Sequence, residues 1–162
     1  MKIRLAKPKD ARDIVYISKK TWLDTYPNEE YGINYEDIEK KFANFEEKVQ
    51  KNKERFKKNS IEKRYWVAEV GEKVVGFLFI KDEKNLGAMY ILPEYQRRRI
   101  GSALMKKFLD YCKNSEEVFV EVAVYNKEAI DFYKSFGFKI LKDSLKEDNH
   151  IMPSVVMKKD SF

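Results

Sequence analysis

The chain has little of what many catalytic and extracellular scaffolds are built on. It carries one cysteine, Cys112, and one histidine, His150. A single thiol forms no internal disulfide, which fits a reducing compartment. A metal site or a Ser/Cys–His triad needs more partners than these two residues supply, so no metal is expected. His150 falls in a polar loop, and Cys112 on an apolar helix face reads as a small core residue. Six glycines and four prolines leave little material for long linkers, and no repeat or low-complexity segment appears. No apolar run approaches the roughly 20 residues that span a bilayer, and no charged-then-apolar leader opens the chain. A cytoplasmic protein with no membrane partner is expected.

What is present describes a globular domain. Hydrophobic residues make up 43% of the 162 positions and aromatics 14%, too rich a mixture for a disordered chain. The length suits one domain, residues 1–162, with a core of its own. Lys and Arg number 33 against 27 Asp and Glu, a formal net charge of +6. The signs are interleaved, as on solvated faces. No recognised nucleic-acid-binding motif accompanies the charge, so nucleic acid is not an expected partner.

The most informative stretch is central. Ala88-Met89-Tyr90-Ile91-Leu92 reads as an apolar strand stopped at Pro93, which cannot donate to a ladder. Glu94, Tyr95 and Gln96 follow, then Arg97, Arg98, Arg99, Ile100 and Gly101. Leu104, Met105, Phe108, Leu109 and Cys112 then recur at helical spacing, so a helix opens near Gly101 or Ser102. Strand, basic turn and helix N-terminus in that order make an anion site: free backbone N–H groups and the positive end of the helix dipole face the turn. The guanidinium groups match phosphate oxygens. A solvated basic turn is the alternative.

The remaining elements follow from periodicity and punctuation. Residues 2–5 alternate as a short strand. A helix begins near Pro8 and Asp10, carries the stripe Ala11, Ile14, Val15, Ser18 and Trp22, and ends before Pro27. From Tyr35 to about Asn59, Ile38, Phe42, Phe45, Val49 and Phe56 form a narrow stripe on one long charged helix. It reads as a surface helix, or alternatively as a lid or wall over a substrate cleft. Residues 65–70 and 74–80 form a hairpin around Gly71 that continues as a meander into the central strand. Residues 117–125 make a fifth strand. Asn126 caps the next helix and Gly137 ends it. Residues 138–141 and 154–157 close the sheet around a polar loop at 143–150. The order β-α-α-β-β-β-α-β-α-β-β predicts an α/β domain: one central mixed β-sheet of about seven strands with helices on both faces.

Two motifs within this order resemble those of the GNAT superfamily of N-acetyltransferases. Gln96 and Gly101 match the Q-x-x-G-x-G segment, with Arg99 where the first Gly usually stands. Asn126, Ala129, Phe132, Tyr133, Gly137 and Phe138 match N-x-x-A-x-x-F/L-Y-x-x-x-G-F. The resemblance covers nearly the whole chain. It implies acetyl-CoA as co-substrate, without a metal. The pyrophosphate would lie on the loop Arg97, Arg98, Arg99, Ile100, Gly101 and Ser102, with Gln96 at its entrance. Pantetheine would lie as an extra strand beside Met89, Tyr90 and Ile91, where the central strand splays from the fifth at a bulge. Asn126 would contact the cofactor, and Tyr133 would be the general acid at the sulfur. Apart from the resemblance, Tyr133 reads as a core aromatic. Positive φ is costly for Arg99, so phosphate binding is expected with that residue at negative φ.

The expected activity is transfer of the acetyl group to a primary amine. A neutral phenol can protonate the departing thiolate, while the amine must first lose a proton. Glu69, Glu121 and Asp24 are the candidate carboxylates for that step. The segment Thr21-Trp22-x-x-Thr25-Tyr26 resembles one found in prokaryotic spermidine/spermine acetyltransferases. It implies a polyamine or other small amine near Trp22, Asp24 and Tyr26; alternatively, those aromatics cap the core. Two further alternatives stay open: a protein N-terminal or lysine acetyltransferase, with a peptide groove between the loops at 28–34 and 143–150, and a non-catalytic acyl-CoA-binding module. Dimers are common in the superfamily, which leaves a homodimer open.

Overall fold

A computed structural model describes residues 1–147 and 151–160; His150 lies outside them. Seven strands, β1 (Lys2–Leu5), β2 (Tyr65–Val70), β3 (Lys73–Ile80), β4 (Asn85–Ile91), β5 (Glu117–Ala123), β6 (Lys139–Ile140) and β7 (Ser154–Asp160), form one sheet in the order β1-β2-β3-β4-β5-β7-β6. The pairings are antiparallel except β4 with β5, so the sheet is mixed as expected. The helices are α1 (Ala11–Thr25), α2 (Tyr35–Lys41), α3 (Phe45–Phe56), α4 (Asn59–Glu62), α5 (Ile100–Tyr111) and α6 (Lys127–Ser135). Among the described residues no helix is long and apolar enough to cross a membrane.

The interior strand β3 is buried at Val74, Val75, Phe77, Leu78 and Ile80. Neighbouring residues of a strand point to opposite faces, so consecutive burial means that both faces are covered. Helices α1 and α5 both pack on β3 and β4. Ala11, Ile14, Val15 and Ile17 face the main core from α1, and Ile100, Leu104, Met105 and Phe108 from α5.

One predicted helix is two. The stripe expected over residues 35–59 breaks at Phe42–Asn44, because it serves two cores. Ile38 and Phe42 join Ile33, Ala123 and Met152 in a small second cluster, whereas Val49 and Phe56 belong to the main one. A straight helix presents one stripe in one direction and cannot do both. Asn34 caps α2 by accepting from the Asp37 N–H at 2.9 Å. After α3, Asn59 is 2% exposed and sews the chain to β2, donating to the Ala6 and Tyr65 carbonyls and accepting from the Arg64 and Tyr65 N–H groups. The closing strands also differ from expectation: β6 is two residues long at the sheet edge, and β7 extends to Asp160 between β5 and β6.

Candidate functional site

The site begins with a glycine. Between β3 and β4, Phe79 pairs with Ala88 and Ile80 with Leu86, so Gly87 is an extra residue, a β-bulge. A Cβ on Gly87 would lie 2.4 Å from Cδ1 of Phe79, so the ring packs only because that position has no side chain. The parallel pairing of β4 with β5 covers Asn85↔Phe119 and Leu86↔Val120. From Gly87 onward the strands part. The β5-facing edge of β4 is thus open inside the sheet, where it can template an extended ligand. A cavity of about 960 Å³ fills the gap, with Gly87, Met89, Tyr90, Ile91, Val120 and Val122 in its walls.

The basic turn opens onto this cavity. A 3-10 turn at Pro93–Tyr95 leaves the strand, and the Gln96 amide donates to the Ile91 carbonyl at 3.1 Å, pinning the turn to the end of β4. Arg97 and Arg99 both sit in the left-handed region, at φ 59° and 63°. The expectation of negative φ at Arg99 therefore fails. The residue keeps the backbone geometry a glycine would favour, at a cost of about 1–2 kcal/mol for each arginine. Arg99 is the N-cap of α5 and no side chain caps the helix. Its first N–H groups, those of Ile100, Gly101 and Ser102, lack intrahelical partners and carry the positive end of the dipole.

Arg97, Arg99, Gly101, Ser102 and Gln96 line the cavity. Arg98 and Ile100 are not in its walls. The Arg98 guanidinium lies over the Tyr95 ring, 5.1 Å from the centroid, and Ile100 is buried in the main core. Arg97 reaches across to Glu128, 3.0 Å away on the first turn of α6. Asn126 lines the cavity and caps α6 by accepting from the Ala129 N–H at 3.1 Å.

The opposite wall is made of hydroxyl groups and one carboxylate. Thr21, Asp24, Thr25 and Tyr26 face the cavity from the last turn of α1, with Tyr90 from β4, Tyr125 after β5 and Tyr133 from α6. Trp22 is not in the lining: its indole stands edge-on to Tyr26 and Phe42, has the Lys41 ammonium over its face, and donates to the Tyr90 hydroxyl at 3.0 Å. It is a brace behind the wall, with its N–H, its ring face and its edges engaged by these neighbours. The Tyr125 hydroxyl donates to the Tyr26 carbonyl at 2.8 Å, and its ring stacks on Tyr31 at 5.0 Å. Burial, and then the neighbouring Tyr90 phenol, hold the Tyr133 hydroxyl well above the ordinary phenol range. Tyr26 is raised in the same way, and burial raises Tyr90 despite its hydrogen bonds with Trp22 and Tyr26. These three phenols are protonated and neutral near pH 7. Thr21 is 6% exposed, and among the described residues its Oγ1 is the one buried side-chain polar atom without a hydrogen-bond partner. Such a group costs about 1–3 kcal/mol.

The three carboxylate candidates separate. Glu69 is not in the cavity lining; it stands on β2, hydrogen-bonded to Arg4, which also holds the buried Asp10. Glu121 lines the cavity but is held by Lys146 at 2.9 Å and by the Ser154 hydroxyl at 2.6 Å. Asp24 lines the cavity and is exposed to solvent. Sequence pattern alone did not single out Gly87 or Glu128, and it named Thr21 only within the Thr21–Tyr26 segment, without a role of its own. An isolated glycine in a strand pattern signals a bulge, but nothing local marks Glu128 or the part that Thr21 plays.

Comparison with known proteins follows the same lines. A model of the acetyltransferase (GNAT) family matches residues 20–138. The chain is 35% identical to the peptidyl-lysine N-acetyltransferase YiaC of Escherichia coli (strain K12) over 57% of this chain and 60% of that one. It is 34% identical to an N-alpha-acetyltransferase of Sulfurisphaera tokodaii, over 50% of this chain and 59% of the relative. The chain thus spans about 60% of the length of these curated relatives. Among solved structures, PaiA N-acetyltransferase from Thermoplasma acidophilum, in complex with coenzyme A, superposes with a TM-score of 0.79 over 98% of both chains at 21% identity. The yncA structure from Salmonella typhimurium, with its cofactor acetyl-CoA, gives 0.71 over 99% of this chain and 93% of that one at 15% identity. At these identities the superpositions speak for the fold alone.

Proposed function

The chain belongs to the GNAT family of acetyltransferases, and from that premise we propose that it transfers the acetyl group of acetyl-CoA to a primary amine carried by a polypeptide. The observation that carries the proposal is the parting of β4 from β5 at Gly87, with an uncapped, arginine-lined helix N-terminus on one side and Tyr133 on the other. The residues fit the co-substrate. The N–H groups of Ile100, Gly101 and Ser102, with Arg97 and Arg99, suit a pyrophosphate. The open edge at Met89 and Tyr90 suits the amides of pantetheine, and its N–H groups would polarise the acyl carbonyl. Gln96 and Arg98 contribute by holding the turn, through Ile91 and Tyr95.

Acetyl-CoA supplies an acyl group activated as a thioester. The amine arrives as an ammonium and passes one proton to water at the solvent-exposed Asp24. Its lone pair then forms the C–N bond as the C–S bond breaks. Tyr133 gives its proton to the departing sulfur and recovers one from the nitrogen, which leaves a neutral amide and a thiol. A buried, neutral phenol is suited to this role, because it is protonated at every working pH.

The polypeptide acceptor is supported by the relatives, whose names specify peptidyl lysine and α-amines. A polyamine is the second reading, favoured by Asp24 and Tyr26 in the cavity wall and by the acidic pair Glu29 and Glu30 in the adjoining loop. Thiol release from acetyl-CoA is the test, with peptides bearing lysines or free N-termini set beside spermidine and spermine. Preferred turnover of a peptide supports the proposal. Preferred turnover of spermidine moves the acceptor to the second reading. Coenzyme A binding with no turnover of any amine leaves a binding module and overturns the enzyme.

A further inference from the structure

Thr21 has no role in the steps above, and its surroundings ask for one. It lies within α1, where a hydroxyl usually satisfies itself by bonding back to the carbonyl four residues earlier. Ser18 on the same helix does so, donating to the Ile14 carbonyl at 2.8 Å. Thr21, one turn on, does not: its Oγ1 has no partner although the residue is only 6% exposed. Buried polar groups are paired in nearly all native structures, and an exception points to strain or to a molecule that completes it. Thr21 lines the cavity on the wall it shares with Asp24, Tyr26, Tyr90 and Tyr133. The phosphate-binding groups belong to the other wall, and the thioester end of the co-substrate is already served by the β4 N–H groups and Tyr133, so the molecule left to meet Thr21 is the acceptor.

Resting on the acetyl-transfer proposal, we infer that the Thr21 hydroxyl accepts a hydrogen bond from the amino group of the bound acceptor and turns its lone pair toward the thioester carbon. A neutral amine has N–H donors to spare, and holding one of them fixes the direction of the lone pair. The neighbouring phenols are less free to do this, since Tyr90 already accepts from Trp22 and Tyr133 is committed to the sulfur. The acceptor therefore supplies the partner that the resting protein lacks, so this hydroxyl favours the complex over the empty protein.

Two variants test this: Thr21→Val, which removes the hydroxyl and keeps the branched shape, and Thr21→Ser, which keeps the hydroxyl. Thr21→Val is expected to lower acceptor kcat/KM about tenfold, mostly through kcat, the effect of one lost hydrogen bond. Coenzyme A affinity should stay within about twofold of wild type, since the cofactor contacts lie elsewhere. Thr21→Ser should recover most of the rate. Because no bond is lost in the resting protein, Thr21→Val should melt at or above the wild-type temperature. Wild-type kcat in Thr21→Val overturns the assignment. A clear fall in its melting temperature also overturns it, by showing that the hydroxyl is already paired. A wild-type protein that acetylates no amine overturns both this inference and the function it rests on; an active wild type with an equally active Thr21→Val overturns this one alone.

Discussion

On the turn side of the cleft, the ligand-facing groups are backbone N–H groups and guanidinium groups drawn from within one six-residue stretch, Arg97 to Ser102. On the α1 side they are hydroxyl groups from four separate elements, joined over separations as long as the 99 residues between Tyr125 and Tyr26. The first side is positively charged and pays for its geometry in backbone strain at Arg97 and Arg99. The second is built of neutral hydroxyls beside the Asp24 carboxylate, and its cost is an unpaired buried hydroxyl at Thr21. In the proposed complex a diphosphate always has the same shape and charge, so a local and prestrained cradle would suffice for it. An acceptor must be oriented to within fractions of an ångström for chemistry, and that takes braced side chains such as Tyr90 behind Trp22.

The largest expected effect separates chemistry from binding. Tyr133→Phe should lower kcat by about 10²–10⁴-fold, the usual worth of a positioned general acid, with the KM for acetyl-CoA nearly unchanged. Steady-state thiol release measures both, and an unaltered kcat would strip the α1 side of its catalytic centre. Next comes the turn. Arg97→Ala with Arg99→Ala should weaken coenzyme A binding about 10- to 100-fold, as expected for two lost charge-assisted contacts. Calorimetric titration at two salt concentrations should show a shallower salt dependence as well. Arg99→Gly sharpens the point, because it removes the charge and relieves the positive φ together. It should lose affinity while keeping or gaining thermal stability.

Gly87→Ala probes the gap that both sides share. Its Cβ would collide with the Phe79 ring, itself stacked on Tyr65 at 4.5 Å. Urea unfolding should register a loss of about 1–3 kcal/mol from overpacking. The smallest effect belongs to Glu69→Gln, which lies outside the cleft and should turn over as wild type does. Its readout is acid stability. Arg4 holds the Glu69 carboxyl below its ordinary range. Burial pushes Asp10 up, but the Arg4 guanidinium and the Lys7 N–H outweigh it, so that carboxyl is lowered too. Both groups therefore lend stability that is present above the unfolded values of about 4 and is lost as pH falls through the lower folded ones. With Glu69 neutralised, acid unfolding should become less steep.

The two sides were unequally legible. Strand, basic turn and helix could be read from adjacent residues, and Asn126 and Gly137 marked the ends of α6 because caps are local. The backbone angle of Arg99 could not be read, because an arginine at positive φ is disfavoured locally and held there only by the turn around it. The break between α2 and α3 was hidden for a related reason. The stripe is continuous in sequence, and only the presence of a second small core, made with Ala123 and Met152, splits it. Trp22 illustrates the opposite error. Its aromatic neighbourhood suggested a stacking surface, but it lies outside the cavity lining and is engaged by Lys41, Phe42, Tyr26 and Tyr90.

What the residues decided alone was everything that depends on near neighbours: the alternation of strands and helices, the basic turn before a helix N-terminus, and the caps. These rest on backbone sterics and hydrogen bonds within a few positions, so a short window carries them. The tertiary structure decided what depends on distant meetings. Pairing of β4 with β5 ends after Leu86 because a bulge at Gly87 turns the strand away, and that opens the cleft. Whether a hydroxyl at position 21 finds a partner depends on which side chains the closed fold brings to it, and among the described residues it brings none.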